Sequence, residues 1–104
     1  MVSSDDEFVF SVTRNKTVVN LKIEFKDLSQ YSTVAVERRS FEQQNFTLCK
    51  YVEVNEEIAK ANTIEADDKY PLPAITDCFY RLRLTFPDGG VRTYPAIHLP
   101  AVKL

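Results

Sequence analysis

The sequence predicts an all-β protein, a seven-stranded antiparallel β-sandwich. Seven short segments have strand character and are separated by turns. The most regular lies at residues 77–86, where every second residue is apolar, the period of a half-buried strand. Almost no segment has a helical period, and Pro71 and Pro73 exclude a helix or a central strand over residues 67–75. We call the segment at residues 77–86 the central strand. The residues that share its apolar face are Cys78, Tyr80, Leu82, Leu84 and Phe86.

The first two strands are predicted over residues 7–14 and 17–26. Both alternate apolar with polar residues, and Asn15-Lys16 between them suits a short turn. The polar residues 1–6 are expected to form a disordered leader. Residues 7–104 are expected to form a single domain, because a chain of 104 residues supports one hydrophobic core.

The third, fourth and fifth strands are predicted over residues 33–38, 46–54 and 63–66, with a polar loop at residues 39–45. Residues 55–61 have two interpretations. Asn55 can cap a short helical turn in which Glu56 and Glu57 favour the positive end of the helix dipole. The other interpretation is a polar connector. Residues 67–75 are predicted to form a surface crossover.

The central strand is predicted to pair with a last strand over residues 91–99. If Phe86 pairs with Val91 across the turn at residues 87–90, Tyr80 lies opposite Ile97 and Cys78 opposite Leu99. A bulge at Gly89-Gly90 is the alternative that shifts this register. Strands one, two and five should form one sheet and the other four the second. The expected core is Phe10, Val12, Leu21, Ile23, Val34, Val36, Tyr80, Leu82, Leu84 and Ile97.

The same register predicts an aromatic and basic outer face on the last two strands. It places Arg83 opposite Tyr94, a geometry that suits a cation–π contact, and Phe79 opposite His98. Arginine and aromatic residues are enriched at binding hot spots, so this face is a candidate partner-binding surface. A solvated strand face is the alternative. The candidate residues are Phe79, Arg81, Arg83, Tyr94 and His98.

The composition and the residue patterns argue against several classes of function. A net charge of −2 without a basic cluster argues against nucleic-acid binding, and no apolar run is long enough for a membrane span. Cys49 and Cys78 are either one disulfide or two buried thiols. Cys78 faces inward and His98 outward, which separates a nucleophile from its base. No catalytic, cofactor or metal site is therefore predicted, and the acids Asp67, Asp68 and Asp77 are interpreted as loop and strand-start residues rather than calcium ligands.

Several short motifs resemble the fibronectin type III-like (immunoglobulin-like) domains of secreted Bacteroidetes proteins, which often precede a type IX sorting domain. The matching positions are Val19, Leu21, Val36-Glu37-Arg38, Phe46, Asp67, Phe79-Tyr80-Arg81-Leu82, Asp88-Gly89 and Tyr94. The resemblance covers residues 17–99. The chain departs from the pattern at Ile23, where the family prefers Trp, and at residues 39–44, where a Ser-x-Asp-Gly turn is replaced.

The resemblance implies an extracellular or cell-surface protein without catalytic residues or a cofactor. The first hypothesis is a non-catalytic accessory domain that acts as a spacer or in adhesion. The second is a module that binds protein or glycan through the outer face. The third is an enzyme. The oligomeric state is left open.

Overall fold

The computed structural model describes residues 1–69, 73 and 76–102, and these form two antiparallel sheets that pack face to face. A 3₁₀ turn at Leu28–Gln30 and one short helix, α1 at Glu56–Ala61, accompany the strands. The strands are β1 (Val2–Ser4), β2 (Phe8–Asn15), β3 (Val18–Phe25), β4 (Thr33–Ser40), β5 (Thr47–Glu53), β6 (Thr63–Asp68), β7 (Cys78–Thr85), β8 (Val91–Thr93) and β9 (Ile97–Leu99).

The division of strands between the sheets is as predicted. The first sheet has the order β1-β2-β3-β6, and the second has the order β5-β4-β7-β8, with β9 also paired to β7. The described residues contain nine strands rather than seven, because β1 is added at one edge and the predicted last strand is divided into β8 and β9. The predicted crossover lies partly outside the described residues, and its first two residues, Asp67 and Asp68, extend β6 instead.

Residues 2–4 are ordered in a strand, which corrects the expectation of a disordered leader. Val2 pairs with Ser11, and Ser4 with Val9, at the edge of the first sheet. The amino group of Met1 donates a hydrogen bond of 2.8 Å to the Val12 carbonyl. The physical reason is that β2 would otherwise present unpaired backbone groups at an edge. A polar composition does not prevent this backbone pairing.

All ten predicted core residues are buried, at 6% relative exposure or less. Alternation explains this result, because every second residue of β2, β3, β4 and β7 faces the opposite sheet. The 3₁₀ turn and the ends of the strands supply further core residues. These are Phe8, Val19, Phe25, Leu28, Tyr31, Ile64, Cys78 and Leu99.

The register of β7 is as predicted with β9 and shifted by one residue with β8. Cys78 pairs with Leu99 and Tyr80 with Ile97, but Thr85 rather than Phe86 pairs with Val91. The cause is a three-residue loop: the Gly89 amide donates to the Phe86 carbonyl at 2.9 Å, and Gly89 adopts φ +93°. The irregular residues 94–96 absorb the shift before β9 begins.

The helical interpretation of residues 55–61 is confirmed. The side chain of Asn55 accepts a hydrogen bond of 2.9 Å from the Ile58 amide, as an N-cap residue does. Asn62 ends the helix at φ +53°, and its side chain accepts from the Leu28 amide at 2.9 Å. In the described part of the chain, no helix has the length and apolar character needed to cross a membrane.

Candidate functional site

The outer face of the second sheet brings together residues from five strands. On β7 these residues alternate with the buried ones, so they point away from the core, and the residues paired with them on the neighbouring strands share that face. We define this outer face as Ala35, Glu37, Arg39, Phe46, Leu48, Tyr51, Phe79, Arg81, Arg83, Val91, Thr93 and His98. Four of the five predicted site residues lie on it, namely Phe79, Arg81, Arg83 and His98. Tyr94 does not.

Tyr94 packs toward the core edge, which corrects its predicted position. Its ring meets Phe8 edge-to-face, with centroids 4.7 Å apart and an interplanar angle of 89°. The one-residue shift caused by Gly89 places Thr93, not Tyr94, opposite Arg83. The predicted cation–π contact between Arg83 and Tyr94 is therefore wrong. The same shift turns Val91 outward, where its relative exposure is 57%.

Aromatic rings and cations form a continuous row along one end of the outer face. His98 stacks on Phe79 with centroids 5.1 Å apart. The Arg39 guanidinium lies 4.5 Å from the Phe79 centroid and 5.3 Å from that of Phe46. The Arg81 guanidinium lies 3.8 Å from the Phe46 centroid. We call His98, Phe79, Arg39, Phe46 and Arg81 the cation–aromatic stack, in which each exposed contact contributes about 0.5–1 kcal/mol.

Glu37 orders the arginines of the outer face. Its largely buried carboxylate accepts a hydrogen bond of 2.8 Å from Arg81 Nε. Arg83 lies farther away, with 3.8 Å between its guanidinium and Glu37 Oε2, and its side chain is 44% exposed. Arg39 donates to the carbonyls of Ser40 and Gln43 at 3.0 and 3.1 Å. The guanidinium groups of Arg81 and Arg39 thus have hydrogen-bond partners within the molecule. Of these three arginines, Arg83 is the most accessible to a partner.

A row of three residues crosses the outer face beside the stack. Ala35 pairs with Tyr51 on one side and with Arg83 on the other. Ala35 is only 2% exposed although it faces outward, because the larger neighbouring side chains cover it. Tyr51 is 48% exposed, and Leu48 on the same strand is 52% exposed. Arg83 and Tyr51 therefore present a cation and an aromatic ring on either side of a small residue.

The sequence analysis missed the contribution of β5 to the outer face. The alternation in this strand is broken by a bulge, where the register with β4 shifts between Val36 and Glu37. The extra residue, Cys49, turns inward beside Arg38, at 3.9 Å from its guanidinium. The one signal in the sequence is the imperfect alternation of residues 46–54, because residues three apart, such as Leu48 and Tyr51, share a face of a strand only across a bulge.

A buried polar cluster connects the two sheets. Asp68 on β6 accepts hydrogen bonds from the Arg38 guanidinium and from the Tyr80 hydroxyl, the latter at 2.8 Å. Burial opposes ionisation of Asp68, but these hydrogen bonds outweigh it, and the pKa of Asp68 lies below its ordinary value. Burial raises the pKa of the neighbouring Cys49 thiol to about 12, and Asp68 adds to this effect.

The two cysteines are free thiols, so the disulfide interpretation does not hold. Cys49 lies on β5 and Cys78 on β7, with β4 between them. Two strand spacings amount to about 10 Å, beyond the roughly 7 Å that a disulfide allows between Cα atoms. Burial raises the pKa of the Cys78 thiol, whose sulfur lies 3.9 Å from the Leu99 carbonyl oxygen.

His98 pairs with Asp77 on the outer side of the second sheet. Its Nε2 lies 2.8 Å from Asp77 Oδ1, and the Ala101 amide donates to the same oxygen at 3.0 Å. The Ala101 amide, followed by His98, lowers the pKa of Asp77. Cys78 faces the core, so it lies on the opposite face from His98, as predicted.

The three acids considered as calcium ligands are not brought together. Asp67 accepts from the Asn20 amide at 3.1 Å on the outside of the first sheet, and Asp68 lies in the interior. Among the residues that the structure describes, no group of three or more His, Cys, Asp or Glu side chains is placed to hold a metal ion.

No protein-family model matches the chain, and no curated protein matches it. The function of the outer face is therefore inferred from its own residues.

Proposed function

We propose that this chain is a non-catalytic, fibronectin type III-like accessory domain of a secreted or cell-surface protein. Its role is adhesion, in which the outer face of the second sheet binds another protein. The fold part of the proposal is supported by the strand grouping, with β2, β3 and β6 facing β5, β4, β7 and the β8–β9 pair. The sequence motifs described above support the location outside the cell.

The observation that carries the binding role is the difference between the two outer faces. The first sheet presents exposed polar pairs, such as Lys22 with Glu24 at 3.2 Å. The second sheet presents the cation–aromatic stack, together with Tyr51, Leu48 and Val91, each about half exposed. Arginine and aromatic residues are enriched in the energetic centres of protein interfaces, whereas paired surface charges contribute little.

A spacer is the second candidate, and one observation favours it. The guanidiniums of Arg39 and Arg81 already have partners within the molecule, in loop carbonyls and in Glu37. A stack of this kind stiffens the second sheet without any outside partner. A spacer does not need Tyr51, Leu48 and Val91 to be exposed, and this exposure is why binding is the preferred role.

Site-specific photo-crosslinking tests the proposal. A benzophenone amino acid replaces Tyr51 on the outer face, and in a matched variant it replaces Glu57 on α1, away from both outer faces. Both variants are produced in the source cells within the protein that carries this domain, then irradiated. We expect a protein adduct from position 51 and none from position 57. The absence of an adduct at position 51 would support the spacer, and an adduct that glycosidases remove would identify a glycan partner.

A further inference from the structure

We propose that the protein bound by the outer face is a second copy of this chain. The outer face of the second sheet in one copy lies against the outside of the first sheet in the next copy. This inference rests on the proposed function, since it uses the same outer face. Its basis is a local match between an accessible guanidinium on one surface and two neighbouring carboxylates on the opposite surface.

The outside of the first sheet holds two neighbouring carboxylates. The side-chain amide of Asn20 donates to Glu65 Oε1 at 3.4 Å and to Asp67 Oδ1 at 3.1 Å. Among the described residues, no cation lies in ion-pair contact with either carboxylate, because the nearby Lys22 pairs with Glu24. Two like charges that share a neutral donor repel each other. A guanidinium supplied from outside would relieve that repulsion.

The outer face of the second sheet supplies such a guanidinium. It carries Arg39, Arg81 and Arg83. Of the carboxylates on the same side, Glu37 accepts from Arg81, Glu53 lies opposite Thr33 at the edge strand, and Asp77 pairs with His98. Arg81 occupies Glu37 at 2.8 Å, so Arg83, at 3.8 Å and 44% exposed, retains most of its capacity to donate. A planar guanidinium offers parallel N–H groups to two carboxylate oxygens, which a lysine cannot match. Arg83 is therefore the group that fits between Glu65 and Asp67 of another copy.

Apolar groups are available around this charged centre on both surfaces. Tyr51 and Val91 flank Arg83 on the second sheet, and Val9 on the first sheet is 37% exposed. The molecule measures 44 × 26 × 23 Å. A stable interface buries roughly 800 Å² per partner, so this contact would have to cover most of one of the larger faces. The two surfaces differ and lie on opposite sides of the molecule. A row of copies therefore has an unoccupied first sheet at one end and an unoccupied second sheet at the other. Such a contact builds open chains rather than closed dimers.

Sedimentation of the purified chain at increasing concentration tests the proposal. We expect the mean mass of the wild type to rise with concentration at about 20 mM salt and to return to that of a monomer at about 500 mM salt. Arg83→Glu and Glu65→Lys should each remain monomeric. The matched charge changes Lys50→Glu and Glu57→Lys, which lie on neither surface, should associate like the wild type. Circular dichroism establishes that every variant is folded.

A mixing experiment separates this geometry from other self-association. For this experiment the neutral variants Arg83→Gln and Glu65→Gln are mixed, because two charge reversals would attract each other at the free ends. Arg83→Gln keeps the acidic surface, and Glu65→Gln keeps the basic one. An equimolar mixture should therefore form dimers and nothing larger. A wild type that is monomeric under all conditions overturns the proposal, as does association that Arg83→Glu and Glu65→Lys leave unchanged. If a crosslink at position 51 then joins a different protein, the proposed function stands and the second copy is excluded as its partner.

Discussion

The Tyr80 hydroxyl on the second sheet donates a hydrogen bond of 2.8 Å to the Asp68 carboxylate on the first. Arg38 reaches the same carboxylate from β4, and Asp68 is 7% exposed. A buried carboxylate is tolerated only when charged or polar partners replace its water. The contact between Tyr80 and Asp68 therefore ties the two sheets through a group that is costly to leave unpaired.

Replacing Asp68 with Ala should destabilise the fold by about 3 kcal/mol, because it leaves the Arg38 guanidinium without its counter-ion in a largely buried place. Tyr80→Phe keeps the ring and removes one hydrogen bond, so the expected loss is about 1 kcal/mol. Lys22→Ala breaks an exposed pair with Glu24 and should change stability by less than about 0.5 kcal/mol. Urea denaturation measures all three, and an equal effect of Asp68→Ala and Lys22→Ala would contradict the role of the cluster.

Stability should fall in acid partly through Asp68. The pKa of this carboxyl is lowered in the folded state relative to about 3.9 in the unfolded chain. The stabilisation is therefore complete above the unfolded pKa and is lost as pH decreases through the folded pKa. Urea unfolding between about pH 6 and pH 2 should show a weaker acid dependence in Asp68→Asn than in the wild type. Glu42→Gln is the control, since Glu42 is an exposed loop residue, and a wild-type acid profile in Asp68→Asn would falsify the assignment.

Cys49 should react slowly with iodoacetamide in the folded protein. Its pKa of about 12 leaves a thiolate population at pH 8 that is about a thousandfold smaller than at the ordinary value of 9. Higher intrinsic nucleophilicity offsets part of this, so alkylation should be at least about tenfold slower than in urea. Mass spectrometry distinguishes Cys49 from the buried Cys78. Equal rates for Cys49 in the folded and unfolded chain would mean that β5 does not turn this thiol inward.

Arg81 and Phe46 should be energetically coupled. The guanidinium lies 3.8 Å from the ring centroid, so a double-mutant cycle of Arg81→Ala and Phe46→Leu should give a coupling of about 0.5–1 kcal/mol. The comparison pair is Arg92 and Phe86, whose separation of 6.0 Å predicts a coupling near zero. Urea denaturation of the six variants and the wild type provides the measurement. Equal coupling in the two pairs would rule out a specific stack.

Replacing Gly89 with Ala should cost about 1–2 kcal/mol, because φ is +93° and a side chain is strained there. No heavy atom lies within 4 Å of the Cβ that would be added, so the cost comes from the backbone and not from a clash. Gly89→Asn should cost less, since asparagine tolerates positive φ better. Thermal unfolding measures both. An unaffected melting temperature in Gly89→Ala would argue against the three-residue loop.

The alternation of apolar residues predicted most of the fold. Period-two patterns in β2, β3, β4 and β7 place every second residue in the core, because the pleat of a strand is a local property. For the same reason Phe79, Arg81 and Arg83 were correctly placed on one outer face. The prediction went wrong at Tyr94 and Val91, where the loop chemistry of Gly89 rather than the alternation decides the register.

Backbone pairing at the edges explains two further differences. The polar residues Ser3 and Ser4 join the first sheet because β2 offers unpaired N–H and C=O groups, and side-chain polarity carries no information about that. On β5 a bulge breaks the alternation, so Leu48 and Tyr51 reach the outer face together. Neither device depends on the hydrophobic pattern from which the strands were predicted.

By itself, the sequence determined that β2 to β7 are strands, that ten residues on them and on β9 lie in the core, and how these strands divide between the two sheets. Only the tertiary structure decided that Arg38 turns inward to Asp68, that Tyr51 joins Arg83, and that Asn20 holds Glu65 beside Asp67. The reason is that alternation reports the environment of a residue along its own strand. The identity of a partner depends on contacts between segments that are distant in the chain, and those exist only after the two sheets have packed.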